Sequence, residues 1–136
     1  MDISFLIKQA QWARTNAYAP YSNFCVGAAL LTKDEKIFTG CNIENASYSG
    51  TNCAERTAIF KAISEGATDF TAIAIVGGSK GPIRNFCPPC GICRQIMAEF
   101  CSPKNFQIIL ATDETNYKIF TLQELLPMGF GCENLV

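Results

Sequence analysis

Two helix starts, separated in the chain by one buried strand, constrain this sequence most. The first is Thr51-Asn52-Cys53-Ala54-Glu55-Arg56, and the second is Phe86-Cys87-Pro88-Pro89-Cys90-Gly91-Ile92-Cys93-Arg94-Gln95. Between them lies Thr71-Ala72-Ile73-Ala74-Ile75-Val76, an apolar run of strand length. Strand and helix patterns alternate here, and successive β-α units of a parallel sheet bring their helix starts to one edge. Whatever chemistry the two segments carry is expected to meet there.

Periodicity and punctuation place the other elements. Asp2 to about Tyr18 predicts an amphipathic helix, with Leu6, Ala10, Ala13 and Ala17 on one face and Pro20 as its stop. Tyr21-Ser22-Asn23 is a connecting loop. Val26 to Leu31 predicts a buried strand whose glycine and alanines point to a very close neighbour. After a turn at Lys33-Asp34-Glu35, Ile37 to Cys41 pairs back as a hairpin. The polar segment 42–50 follows that strand's end, where open α/β sheets place ligand groups.

Cys53 to Glu65 predicts a helix started by Thr51 or Asn52 as cap, striped by Ala54, Ala58 and Ala62, and ended by Gly66. Gly77-Gly78 closes the strand that follows, and a loop over 79–85 leads to the cysteine cluster. A third helix covers Cys90 to about Phe100, with Pro103 barring its continuation. Phe106 to Ala111 and Tyr117 to Phe120 are strands joined by a turn. Thr121-Leu122-Gln123-Glu124 is a capping box for a short last helix that Pro127 ends. The order α-β-β-α-β-α-β-β-α implies one domain over 1–136, a three-layer α/β/α sandwich with a mixed five-stranded sheet. Both β-α-β crossovers are expected to pair their strands in parallel.

A chain of 136 residues that is 49% hydrophobic can bury a real core. Its net charge of −1, with Lys and Arg scattered, gives no support to duplex nucleic acid or an acidic membrane as partner. No apolar run reaches membrane-spanning length, and Met1-Asp2-Ile3-Ser4-Phe5 lacks the basic start of a signal peptide. A soluble, cytoplasmic protein is expected. In that compartment the eight cysteines point to metal or catalysis rather than disulfides. Cys25, Cys41, Cys101 and Cys132 are isolated and read as small buried hydrophobes. Cys53, Cys87, Cys90 and Cys93 fall in the two helix-start segments. The chain has no histidine, so thiolate must bind any metal and carboxylate must move any proton.

Cys90 and Cys93 are three residues apart, which puts both sulfurs on one side of a helix start. With Cys53 they make a trithiolate site, and a catalytic zinc has three protein ligands and one open position. Three thiolates on one divalent zinc carry a net negative charge that weakens the metal as a Lewis acid. Helix N-termini offset part of it. Arg56, on the same helix face as Cys53, is expected to donate hydrogen bonds to a bound sulfur. Glu55 can reach the open position and carry a proton from water to a substrate nitrogen. Cys87-Pro88-Pro89-Cys90 is itself a Cys-x-x-Cys, which leaves two rivals open: a closed structural site using all four cysteines, or a redox pair.

Cys53-Ala54-Glu55 with Pro89-Cys90-Gly91-Ile92-Cys93 resembles the signature of the zinc nucleobase deaminases, in its three-cysteine form. Tyr21-Ser22-Asn23-Phe24-Cys25-Val26-Gly27-Ala28-Ala29, Asn42-Ile43-Glu44-Asn45-Ala46-Ser47-Tyr48, Arg94-Gln95 and Leu125-Leu126-Pro127 through Phe130 extend the match to nearly the whole chain. Together they resemble the small homotetrameric cytidine deaminases. The resemblance implies one zinc per chain, water attack at C4 of cytosine, loss of ammonia, and Glu55 as proton carrier. It implies that Asn42 and Glu44 bind the ribose hydroxyls, that Phe24 packs on the pyrimidine and that Ala54 touches substrate. It also implies that Ala46, Tyr48 and Phe130 reach a neighbouring subunit's pocket. A nucleoside is the expected substrate, since a carboxylate at the ribose leaves no seat for a 5′-phosphate, and no polynucleotide is expected. The alternatives are a deaminase of a modified pyrimidine nucleoside and a structural zinc module that binds a partner.

Overall fold

The computed structural model describes all 136 residues. Helix α1 (Ile3–Arg14) is followed by strands β1 (Phe24–Thr32) and β2 (Ile37–Cys41), then α2 (Ala54–Ser64), β3 (Phe70–Ser79), α3 (Gly91–Phe100), β4 (Gln107–Ala111), β5 (Tyr117–Thr121) and the single turn α4 (Leu122–Leu125). The expected element order holds. The five strands form one mixed sheet in the order β2-β1-β3-β4-β5.

One expectation about pairing is corrected. Only β3 and β4 pair in parallel; β1 pairs antiparallel with both β2 and β3. The hairpin strand β1 thus lies between β2 and β3. These two still run in the same direction, because each is antiparallel to β1. Their C-terminal ends, and the helices that follow them, therefore share one edge.

The central strands are apolar on both faces because both faces are covered. Val26, Ala28, Leu30, Ile73, Ile75, Ile108 and Leu110 point to the layer of α2, α3 and α4, meeting Ala54, Ala58, Ile59, Ala62, Met97 and Leu122. The alternate residues Ala29, Leu31, Ala72, Ala74, Val76 and Ile109 meet Leu6, Ile7 and Ala10 of α1. The close neighbour expected over β1 is α1: a Cβ on Gly27 would lie 2.0 Å from the Ala10 carbonyl oxygen. Gly40 of β2 plays the same part for α2, since a Cβ there would lie 2.4 Å from the Ala54 oxygen and 2.5 Å from the Ala58 nitrogen.

Several boundaries differ from expectation for identifiable reasons. Helix α1 ends at Arg14, well before Pro20, because the Tyr18 backbone is taken up elsewhere: its N–H donates to the Asn42 carbonyl, and its carbonyl accepts from the Glu44 N–H. Gly77 and Gly78 do not close β3; they continue it, opposite Val26 and Cys25. Neither Thr51 nor Asn52 caps α2. The N-cap is Cys53, whose sulfur makes no capping bond, while the Asn52 amide donates to the Thr57 hydroxyl. At the other end Gly66 behaves as expected. It has φ +92°, and the Gly66 and Ala67 N–H groups bond to Ile63 and Ala62 in a Schellman arrangement. The Thr121–Glu124 capping box is formed. Cys25 and Cys101 are buried as expected, Cys41 is only partly so, and Cys132 is exposed near the C-terminus. No helix is long and apolar enough to cross a membrane.

The two glycines predict contrasting costs. Gly40→Ala drives a methyl group into the backbone of α2 and should lower stability by about 3 kcal/mol or more. Gly66→Ala meets no atom and should cost only the left-handed backbone strain, about 1–2 kcal/mol. Thermal or denaturant melts of the two variants check the order; equal melting points would refute it.

Candidate active site and metal centre

The site forms where the starts of α2 and α3 come together with the start of β1 and the end of β2. Cys53 and Cys90 occupy the N-cap positions of their helices, and Cys93 lies in the first turn of α3. The three sulfurs lie within 4.8 Å of one another. Cys53 and Cys90 Sγ are 3.7 Å apart. Zinc–sulfur bonds of about 2.3 Å at tetrahedral angles require sulfurs about 3.8 Å apart, so the donor set fits one zinc ion per chain.

The electrostatics around Cys53 favour negative charge on its sulfur. The Cys53 thiol is drawn down to about 5, first by its hydrogen bond with Cys93 and then by those from Arg56 and Cys90, against the opposing pull of burial. Arg56 Nη2 donates to Cys53 Sγ at 3.1 Å, the contact expected from their spacing. Arg56 Nε is buried without a protein partner. Cys93, which shares its proton with Cys53 and is buried, holds it more tightly than an ordinary thiol. The Cys93 N–H points back to Cys90 Sγ at 3.5 Å, so α3 presents its first turn to the cluster.

Beside the cluster lies a cavity of about 510 Å³. Its wall comprises Ser22, Phe24 and Val26 from β1 and the preceding loop, Asn42 and Glu44 after β2, Thr51 to Glu55 except Asn52, and Phe86, Cys87, Pro88 and Cys90 before α3. Glu55 is only 3% exposed. Burial, with the Cys53 sulfur adding to it, lifts its proton affinity to about 7, against the opposing pull of hydrogen bonds from its own backbone and from Cys93. A buried carboxyl facing a cavity, next to three metal-type donors, can hold or release a proton near neutral pH.

The far side of the cavity is polar and firmly held. The Asn42 side chain bridges β1: Oδ1 accepts from the Val26 N–H and Nδ2 donates to the Phe24 carbonyl, each at 2.8 Å. One donor and one acceptor site on the amide stay free. Glu44 accepts from the N–H groups of Tyr21 and Ser22 at 2.9 and 3.1 Å and from the Ser22 hydroxyl. The Ser22 hydroxyl bond is the main reason its pKa falls below the ordinary carboxylate value.

The structure thus brings together Cys53, Ala54, Glu55, Arg56, Cys90, Cys93, Phe24, Asn42 and Glu44. It leaves Ala46, Tyr48 and Phe130 outside this cavity. Tyr48 is 77% exposed and meets Tyr21 edge-to-face at 6.0 Å. Phe130 borders a separate groove near the C-terminus, and its carbonyl accepts from Gln95. Sequence reasoning missed Ser22, which orients Glu44 across twenty-two positions, and Arg94. The Arg94 guanidinium donates to the Pro89 and Leu125 carbonyls at 2.8 and 2.6 Å and so steadies the approach to Cys90. No local signal marks Ser22; Arg94 is visible only as a cation in the first turn of a helix.

Cys87 is not part of the sulfur cluster. It packs on β3 at Gly77, where a Cβ would lie 2.8 Å from the Cys87 sulfur. Burial, reinforced by the negative groups Glu55, Cys53 and Cys90, pushes its thiol up to about 12. It lines the cavity outside the three-sulfur cluster.

The fold and this site have close counterparts. Residues 1–109 match the model of the cytidine and deoxycytidylate deaminase zinc-binding region. A cytidine deaminase of Halalkalibacterium halodurans is 53% identical over 99% of this chain and 98% of its own. One of Sporosarcina psychrophila is 48% identical over 99% and 96%. The crystal structure of a cytidine deaminase from Burkholderia pseudomallei superimposes with a TM-score of 0.82 at 49% identity, over 93% of this chain and 97% of that one. The chain belongs to the cytidine and deoxycytidylate deaminase family of zinc enzymes.

The cluster geometry makes a metal-content prediction. Cys87→Ala should keep one zinc per chain, whereas Cys90→Ala should lose it. Elemental analysis of the purified variants checks both; loss of zinc from the Cys87 variant would restore the closed four-cysteine site.

Proposed function

We propose that this chain catalyses the hydrolytic deamination of cytidine and 2′-deoxycytidine to uridine and 2′-deoxyuridine, releasing ammonia. The single observation that carries the reading is the buried carboxylate of Glu55 facing a cavity beside three convergent sulfurs. Relatives named cytidine deaminase, aligned over almost the full chain, support it.

Cys53, Cys90 and Cys93 would hold the zinc, which when bound acts as a Lewis acid and makes water a nucleophile near neutral pH. Arg56 donates to Cys53 and draws charge from its sulfur, which keeps an electron-rich donor set from quenching that acidity. Glu55 takes the two protons of the attacking water in turn, delivering the first to the ring nitrogen and the second to the departing amino group at C4. Phe24 packs against the pyrimidine. Asn42 and Glu44 bind the ribose hydroxyls, the amide through its free donor and acceptor and the carboxylate as acceptor. Ala54, fully buried at the start of α2, forms part of the cavity floor against the base. A carboxylate at the ribose disfavours a phosphorylated sugar, so the substrate is a nucleoside.

We assign Ala46, Tyr48 and Phe130 to the pockets of neighbouring subunits in a homotetramer. Their position outside their own cavity and the exposure of both aromatic rings support this. The enzyme would act in the cytoplasm, in pyrimidine salvage.

Ammonia release from cytidine, with matching loss of its absorbance, tests the activity; its absence from zinc-replete protein would sink the reading. Glu55→Gln should retain zinc while kcat falls by roughly 100-fold to 10,000-fold or further. Near-normal turnover in that variant would remove Glu55 from its role.

A further inference from the structure

The wall of the cavity contains one segment that its own backbone does not hold. From Gly81 to Pro89 no N–H or carbonyl takes part in a backbone–backbone hydrogen bond. Yet Phe86, Cys87 and Pro88, near its end, line the cavity together with Phe24. Two arginines tie the segment down. Arg94 holds Pro89 at its end, and Arg14 holds Gly81 at its beginning.

Arg14 does more than hold Gly81. It is the last residue of α1, and all three of its guanidinium nitrogens donate to main-chain oxygens. Nε donates to the Cys25 carbonyl at 2.9 Å, and Nη2 donates to the Gly78 and Ser79 carbonyls at 3.0 and 2.7 Å. Nη1 donates to the Gly81 carbonyl at 3.1 Å. No carboxylate pairs with it; the protein's ion pairs are Lys33–Asp69 and Lys36–Asp34. Cys25 and Gly78 face each other across β1 and β3, as do Phe24 and Ser79, so the fork closes the ends of two paired strands and the loop that leaves them. Gly81 has φ +109°, a left-handed turn within that loop. Gly27 makes the approach possible, since a Cβ there would lie 2.6 Å from the Arg14 nitrogen.

We propose that Arg14 is a positioning residue for the substrate cavity: by clamping Cys25, Gly78, Ser79 and Gly81 it sets where Phe24 and the Phe86–Pro88 segment stand relative to one another in the cavity wall. Arg14 does not line the cavity, so it acts through those walls. The clamp rests on the deaminase reading for its effect on turnover, but not for its effect on the loop. A lysine keeps the charge yet presents a single ammonium point, which cannot span four carbonyls on two strands and a loop. The zinc ligands stand at the starts of α2 and α3, and none of the hydrogen bonds of the Arg14 guanidinium goes to either helix.

Lys80 and Arg84 lie in the clamped loop and are exposed, which makes tryptic cleavage of the native protein a direct reporter. Arg14→Lys should keep one zinc per chain, raise KM for cytidine roughly tenfold and leave kcat within about threefold, as expected when a cavity wall shifts away from the chemistry. Native-state cleavage at Lys80 or Arg84 should speed up by a similar factor. In Arg14→Ala, added ethylguanidinium should restore KM and slow cleavage again. Unchanged KM and cleavage in the lysine variant would overturn the clamp. So would a parallel fall of zinc content, kcat and melting temperature, which would make Arg14 merely structural. If the wild-type protein fails to deaminate cytidine, the deaminase reading falls, and the cleavage rates alone decide whether the clamp exists.

Discussion

Three sulfurs that repel one another as thiolates must be held within 4.8 Å. The protein achieves this by placing them at the starts of two helices, where backbone N–H groups and helix dipoles favour negative charge. Everything else in the site depends on those two starts sharing one edge of the sheet. That in turn requires β2 and β3 to run the same way, which they do although β1 lies between them. Arg56 adds the one full positive charge at the cluster, on the sulfur of the ligand that α2 supplies.

Close packing converts this topology into a site of fixed dimensions. Gly40 lets the first turns of α2 rest directly on β2, so Cys53 and Glu55 cannot drift outward. Gly77 gives Cys87 room against β3, so the thiol lies in the wall instead of filling the cavity or joining the metal site. Asn42 ties the end of β2 to the start of β1, and Ser22 fixes Glu44 from the loop before β1. These contacts join parts of the chain far apart in sequence, and each constrains a group that faces the cavity.

How much of this was legible in the residues follows from the range of each interaction. The Cys90–Cys93 spacing, the Cys53–Arg56 contact, the Gly66 cap and the Thr121–Glu124 box all act within one helical turn or cap, and all appear as read. The failures are long-range. Gly77 and Gly78 resemble a strand end, but they continue β3 in pairing with Val26 and Cys25, and at Gly77 the missing side chain leaves room for a thiol from beyond the loop. The end of α1 is set by the bonds of Tyr18 to the Asn42–Glu44 segment, not by Pro20. Parallel pairing of β2 with β3 was the simplest crossover, and the insertion of β1 between them leaves no local mark.

The amino-acid sequence by itself determined that any metal donors are thiols, which carboxylate lies beside them, and the helix starts that carry them. Ligand spacing, capping and the absence of histidine are properties of neighbouring residues or of composition. Only the tertiary structure decided which cysteines converge, which strand separates β2 from β3, and how the Phe86–Pro88 wall is held. Those outcomes depend on backbone contacts between segments tens of residues apart, and such contacts become visible only when the sheet and its helices are packed.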